Sequence, residues 1–439
     1  MQRADKQALR NLAANDRLTA QFIELTAVDT KSDESRSCLP STDGQLELAK
    51  KLQELCQSLA AKCTPQGSVN LTSKGALLIH LPPAQGCEQA PALVVLAHLD
   101  TAPDCSGAGV SPALVTAYQG QGIELENGLI LDDKICPELA AHIGDDIIVT
   151  DGRTLLGADD KAGCAVMLEL LKRIADGQIT HGSLYMVFTV DEEIGRSFDS
   201  VPLDLIKADF AVTIDGCELG ELDVATFNAL SCQVSIKGRS IHTGSACGKL
   251  INALKIASEF VSQLPQNEAP ETTSGLEGFY HPYHIAGGVE QASVSLILRD
   301  FDMSGLNARR EFVQNICKRL NERYGEERVS AEFYLQYRNF AEVLKQSPGV
   351  LRLCREAYAR AGVEVHENHV RGGTDGSNLS YAGLPCPNIF TGALNCHGPY
   401  ECLPVPSLHK SLACVQALVK LTAKEDRSAL FAKDAEDGK

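Results

Sequence analysis

Asp159 and Asp160 stand side by side in Gly157-Ala158-Asp159-Asp160-Lys161-Ala162-Gly163. Carboxylates at the mouth of a helix cap its free N–H groups and complement its dipole, and for the pair alone that reading suffices. Other residues in the chain point to more. His98 and Asp100 are two apart after an apolar run, so both side chains leave a strand on the same side. That spacing suits a ligand imidazole held in orientation by a carboxylate. Glu192 and Glu193 are adjacent and point opposite ways on extended backbone, so one can bind a metal while the other addresses a water or substrate. Asp215 precedes a glycine, and His397 lies in Asn-Cys-His-Gly-Pro-Tyr-Glu. Each also has an ordinary reading, as a surface pair, solvated charge, turn residue or structural histidine.

Together they make a different case. Two histidines and several carboxylates gathered at one place concentrate negative charge at a cost that cations remove. The simplest arrangement is a pair of divalent metals sharing one bridging carboxylate, as in two-metal hydrolases. Imidazole and carboxylate donors without thiolate favour zinc, with cobalt or manganese as alternatives. Cys217 and Cys396 are near these residues in sequence but are not expected as ligands.

The elements that must position these groups follow from the apolar runs. Ala92–Ala97, Leu184–Val190 and Phe210–Ile214 are short and continuously apolar, as expected of strands buried on both faces of a mostly parallel sheet. They end in His98-Leu-Asp100, Asp191-Glu192-Glu193 and Asp215-Gly216. A fourth, Pro387–Gly392, leads to His397. Ile147–Thr150 reads as a strand, and the helix after Asp160 shows itself by Cys164, Met167, Leu168, Leu171 and Ile174, closed by Gly177. Residues 5–28 read as helical, and Leu48, Leu52, Leu55, Cys56 and Leu59 mark an amphipathic helix. Strands alternating with helices imply an α/β fold, a mixed and mostly parallel sheet flanked by helices. Sites in such sheets gather beyond the carboxyl ends of the strands.

Between residues 227 and 338 the pattern changes to alternating strands, such as Ser231–Lys237 and Ala292–Arg299, with two amphipathic helices. This predicts an inserted α+β domain. The catalytic domain then comprises 1–226 and 339–424, and the charged stretch 425–439 is expected to be a disordered tail.

Composition narrows the class. A length of 439 residues suits two domains, and 44% hydrophobic with 22% charged residues is ordinary for a globular protein. The net charge of −17 argues against a nucleic-acid or anionic-membrane partner. No apolar run spans a bilayer, and the N-terminal Met1-Gln2-Arg3-Ala4-Asp5-Lys6 is too polar for a secretory signal, so a cytoplasmic protein is expected. None of the 16 cysteines forms a Cys-x-x-Cys pair, so free thiols are expected.

The ordered set His98-Leu-Asp100-Thr, Gly-Ala-Asp159-Asp-Lys-Ala-Gly, Thr-Val-Asp-Glu192-Glu193-Ile-Gly, Thr-Ile-Asp215-Gly and Asn-Cys-His397-Gly resembles the peptidase T branch of the aminoacylase/carboxypeptidase-like zinc peptidases. The likeness extends through Arg299-Asp-Phe-Asp and Arg371-Gly-Gly-Thr-Asp-Gly over nearly the whole chain. It implies a zinc-exopeptidase-like fold whose inserted domain is a lid and the contact of a homodimer. By that resemblance Asp159 bridges two Zn2+, His98 and Asp215 complete one site, and Glu193 and His397 complete the other. Glu192 is the general base, Asp100 orients His98, and His242 stabilises the oxyanion of a small peptide substrate. Arg299 and Arg371 are candidates to hold the substrate carboxylate, and Asn339 lies in a Tyr-Arg-Asn-Phe tetrad like the family's.

Two stretches depart from the pattern. The lid motif reads His242-Thr-Gly-Ser-Ala-Cys where His-Pro-Gly-Thr-Ala-Lys is usual, and Asp215 is followed by Gly-Cys-Glu-Leu-Gly where a glycine-richer turn is usual. Neither touches an expected ligand. The implied activity is release of the N-terminal residue of tripeptides. Competing readings are a related dipeptidase, carboxypeptidase or N-acyl-amino-acid amidohydrolase, and a non-catalytic homologue.

Overall fold

The structure is a computed structural model describing residues 1–325 and 327–431. The chain divides into two compact units. One comprises Met1–Val224, Glu342–Asn368 and the chain from Thr374 onward; the other comprises Ala225–Ala341 and His369–Gly373.

The first unit is built on an eight-stranded sheet. In chain order its strands are β1 Ser68–Leu71, β2 Leu77–Leu81, β3 Leu93–His98, β4 Leu184–Thr189, β5 Phe210–Gly216, β6 Glu221–Thr226, β7 His366–Val370 and β8 Asn388–Phe390. Their order across the sheet is β7-β6-β8-β5-β3-β4-β2-β1. The central four, β8, β5, β3 and β4, run parallel. β6 joins β8 antiparallel on one side, and β2 joins β4 antiparallel on the other. Every residue of β3 and β4 is buried, which is why their sequences are continuously apolar. Each Val or Leu so buried contributes about 1.5–3 kcal/mol.

Helix α1 (Asp43–Ala60) and helix α2 (Ala158–Ala175) pack together, and α2 lies against β3 and β5. A later helix, α3 (Pro348–Ala361), packs on α4 (Val405–Thr422), which also touches α2. Nearly all of α2 is buried, including Glu169, whose carboxylate is paired with Arg17 at 2.6 Å and Arg173 at 2.7 Å. A buried charge persists only when compensated in this way.

The stretch 5–28, expected to be helical, forms two helices, Lys6–Asn15 and Arg17–Thr26. Asp16 between them is extended (φ −124°, ψ 104°), in keeping with the preference of Asn-Asp sequences for helix ends. Of the tail expected to be disordered, residues 425–431 are ordered. Asp426 caps a 3-10 turn over Arg427–Leu430, and Leu430 is buried. The remainder of that expectation lies outside the described residues.

The second unit is a four-stranded antiparallel sheet in the order Phe279–Gly287, Gln291–Asp300, Asn228–Lys237, Val329–Tyr337. Alternate residues such as Cys232, Val234, Leu296 and Leu298 form a core with Ile256 and Phe260 of one helix and Val313 and Ile316 of another. The strand Phe279–Gly287 was not legible in advance; its register shifts between Pro282 and His284, so its alternation is broken. Among the described residues no helix is long and apolar enough to cross a membrane.

Candidate metal centre

The parallel strands deliver their carboxyl ends to one place in the first unit. His98 is the last residue of β3, Glu192 and Glu193 follow β4, Asp215 lies near the end of β5, and His397 follows β8. Asp159 comes from the start of α2, where Gly157 takes the left-handed conformation (φ +78°) and the Asp159–Asp160 peptide is cis.

The shared element is the Asp159 carboxylate. One oxygen is 3.0 Å from Nε2 of His98, and the other is 3.2 Å from Nε2 of His397. His98 Nε2 is also 3.3 Å from Asp215 Oδ1, and His397 Nε2 is 3.1 Å from Glu193 Oε2. Two sets of side chains therefore meet at Asp159, His98 with Asp215 on one side and Glu193 with His397 on the other.

Supporting contacts fix these groups. The His98 N–H donates to Asp160 at 3.1 Å, and its Nδ1 lies 3.1 Å from the Asp100 carbonyl and 3.4 Å from the Asp100 carboxylate. Asp100, completely buried, accepts the backbone N–H of Glu192 at 3.0 Å and of Glu193 at 3.1 Å. Asp191 (φ +58°) accepts from the N–H and hydroxyl of Ser41 and from the Gln45 amide, tying the same turn to α1. Asp215 receives support through its N–H, which donates to Asn388 at 3.0 Å.

As protein groups alone, these residues have displaced proton affinities. Burial, and then Asp215, raises Glu192 well above the usual carboxylate range. Burial and Asp159 lift Glu193 to about 7. Asp215 is also lifted to about 7, chiefly by burial. Burial works against Asp159, but hydrogen bonds with His397 and His98 outweigh it and hold Asp159 low. His98 is likewise disfavoured by burial yet raised by Asp215, Asp100 and Asp159. Hydrogen bonds with Asp159 and Glu193 push His397 up to about 11.

Divalent cations fit this donor set. Ligand atoms of His98, Asp159 and Glu193 lie within 4.8 Å of one another, as do those of His98, Glu192 and Asp215. Glu193 Oε1 is buried with no hydrogen-bond partner, an orphan of the kind that an ion satisfies. Glu192 belongs to the second of these groups, with His98 and Asp215.

The remaining expected residues lie in the second unit. His242 is exposed and caps a 3-10 turn, Nδ1 accepting from the Gly244 N–H at 3.2 Å. Arg299 is buried, stacks over Tyr337 and donates to the Leu298 carbonyl. Arg371 donates to the carbonyls of Gly275 and Glu277 and to the Thr273 hydroxyl, and its guanidinium stacks on Phe227 and Phe279. Asn339 accepts from the N–H groups of Thr226 and Ala341 and donates to the Phe301 carbonyl. The contacts of Arg371 and Asn339 hold their own unit together.

Two acidic residues at the site, Asp191 and Glu401, received no role from the sequence, and Asp160 was read only as a helix cap, a role its bond from the Gly163 N–H fulfils. Asp160 is buried beside the expected ligand Asp159, Asp191 is buried beside the expected base Glu192, and Glu401 is buried four residues after His397. Only Glu401, between Tyr400 and Cys402-Leu403, has apolar sequence neighbours on both sides that could have marked it. The Cys217 and Cys396 thiols are in contact with each other, and none of the hydrogen bonds around the ligands uses them.

Residues 150–421 match the profile of peptidase family M20/M25/M40. The chain belongs to this family. Peptidase T of Clostridium perfringens (strain ATCC 13124) is 42% identical over 407 residues, covering 92% of this chain and 98% of the relative. As an M20-family peptidase, the protein shares its fold with a tripeptidase from Staphylococcus aureus (TM-score 0.72, 21% identity, 96% of this chain and 100% of the other). The YXEP protein of Bacillus subtilis, a dinuclear metal binding peptidase of the M20 family, aligns with TM-score 0.58 and 16% identity over 92% of this chain and 97% of its own.

Proposed function

We propose that this chain is a cytoplasmic dinuclear zinc aminopeptidase that releases the N-terminal residue of tripeptides. The observation that carries the metal centre is the Asp159 carboxylate divided between His98 and His397. The tripeptide assignment is supported by 42% identity to a peptidase T over almost its full length.

In this reading Asp159 would serve both cations, with His98 and Asp215 as the residues that would hold one and Glu193 and His397 those that would hold the other. When bound, such cations lower the pKa of a water and polarise the peptide carbonyl. Glu192, whose proton affinity is raised by burial and Asp215, takes the proton of the attacking water and passes it to the leaving amine. Asp100 fixes the His98 ring and the Glu192–Glu193 turn together. The second unit is proposed as the lid and homodimer contact, supplying His242 to the developing oxyanion. Arg299 and Arg371 are proposed to hold the substrate carboxylate, with Asn339 as a further substrate contact; for Arg371 this means exchanging its bonds to the 273–277 loop.

The test is a panel of alanine di-, tri- and tetrapeptides and their N-acetyl forms with the zinc-loaded protein. Turnover confined to the unblocked tripeptide, releasing its first residue, is expected. Preferred cleavage of the dipeptide or the N-acetyl compounds would overturn the assignment.

A further inference from the structure

Glu401 is 1% exposed, and its carboxylate is spent entirely on the start of α2. Oε2 accepts the N–H of Leu156 at 2.6 Å and of Gly157 at 2.8 Å, while Oε1 accepts the N–H of Asp159 at 3.1 Å. A carboxylate gathering backbone N–H groups in a dry place makes short, strong, directional bonds. Through them the chain just after His397 grips the backbone of Asp159 itself.

The rest of that loop has few other anchors. Leu394 and Cys402 exchange backbone hydrogen bonds of 2.9 and 3.0 Å, pinning the loop at its base. The strand Cys402–Pro404 runs antiparallel to Ile147–Val149, placing Cys402 opposite Val149. Between the pins, Asn395 and His397 adopt positive φ (53° and 66°), and the His397 side chain is 45% exposed. The other half-site is held differently. His98 is 2% exposed at the end of β3, with its N–H on Asp160 and Nδ1 beside Asp100, and Asp215 is tied to Asn388. None of those contacts involves Glu401, and the Asp159 oxygen on this side is held at 3.0 Å by Nε2 of His98, whose ring is fixed in turn by Asp100.

We infer that Glu401 is a positioning residue that holds His397 against Asp159 and so sets the affinity of one cation position, the Asp159–Glu193–His397 half, while leaving the His98–Asp215 half largely unaffected. The inference rests on the two-cation reading above and deepens it. It makes the two positions unequal by construction: one is built on strand ends, the other on a loop pinned at its base by Leu394 and Cys402 and tied to Asp159 by one buried carboxylate.

Zinc titration of the metal-free full chain by calorimetry tests this, with bound zinc counted after desalting. Wild type should take up two ions. Glu401→Gln preserves shape but sets an amide NH2 against backbone donors, so one ion should bind as in wild type and the other 10–100-fold more weakly, the usual effect of removing a partner behind a ligand. In a His397→Ala background, adding Glu401→Gln should change the affinity of the remaining ion by less than about twofold, as for mutations whose effects act on separate sites. Equal weakening of both ions, no weakening of either, or a further loss in the His397→Ala background would overturn the inference. Far-UV circular dichroism of the metal-free variants checks folding. If the Gln variant does not fold, Glu401→Asp keeps the charge on a shorter arm and should show the same split. Should wild type bind fewer than two ions, the two-cation reading itself fails; should it bind two with no split in the variants, only the role of Glu401 does.

Discussion

Asp159 and His397 are separated by 238 residues of sequence and meet at 3.2 Å. The same carboxylate is 3.0 Å from His98 with its other oxygen. Asp159→Ala should therefore remove both metals, whereas His397→Ala should leave about one per chain. Metal counting on the purified variants checks this, and two ions retained in Asp159→Ala would falsify the bridge.

Glu192 and Glu193 are neighbours with different duties in this reading. Glu192→Gln is expected to bind zinc normally while kcat drops by about 10²–10⁴-fold, the range for a positioned general base. Glu193→Gln should instead lower metal content. The pair of assays discriminates, because a base that also served as an essential ligand would lose metal in both variants.

His242 is exposed, and its side chain caps a short turn. Its replacement by Ala should lower Tm by no more than the loss of a modest cap, about 1 kcal/mol. A role at the oxyanion predicts a kcat loss of about 10²–10³-fold. Equal activity with a lower Tm would assign His242 to structure alone.

Acidity and metal act in opposition. Glu193 and Asp215 have folded-state pKa values lifted to about 7, and His397 is pushed to about 11. In each case the folded metal-free protein binds protons more tightly than the unfolded chain, so their contribution is complete at low pH and is lost as pH rises through those values. Asp159, held low, contributes in the opposite sense, but its loss falls below the ordinary carboxylate range. Zinc needs these same groups deprotonated. The Tm difference between zinc-loaded and metal-free protein should widen from about pH 5.5 to about pH 8, and a constant difference by calorimetry would contradict the assignment.

Asp191 is fully buried and binds the Ser41 N–H and hydroxyl and the Gln45 amide. Asp191→Ala strands these donors at about 1–3 kcal/mol each before relaxation, and a loss of about 2–4 kcal/mol in urea unfolding is expected. Asp191→Asn should lose less, since Asn tolerates positive φ.

The central strands were readable because burial on both faces leaves an uninterrupted apolar run, as in Leu93–Ala97 and Leu184–Phe188. The outer strands Ser68–Leu71 and His366–Val370 carry mixed residues and exposed positions, so no periodicity announced them. The expected ligands were visible because each follows a readable strand or opens a readable helix. Glu401 and Asp191 were not: Glu401 binds backbone N–H groups, which leave no mark on the sequence, and Asp191 binds Ser41 and Gln45, some 150 residues away. Arg371 carried a charge that suggested a substrate anion, and its bonds to Gly275, Glu277 and Thr273 became visible only in three dimensions.

The pentapeptide His369–Gly373 belongs to the second unit although the chain enters it from, and leaves it to, the first. The backbone thus changes unit four times, after Val224, Ala341, Asn368 and Gly373. Excising 225–341 as one cassette would leave behind Arg371, the residue that clasps the 273–277 loop, so a transplant or a separately expressed second unit has to carry both pieces of chain to be whole.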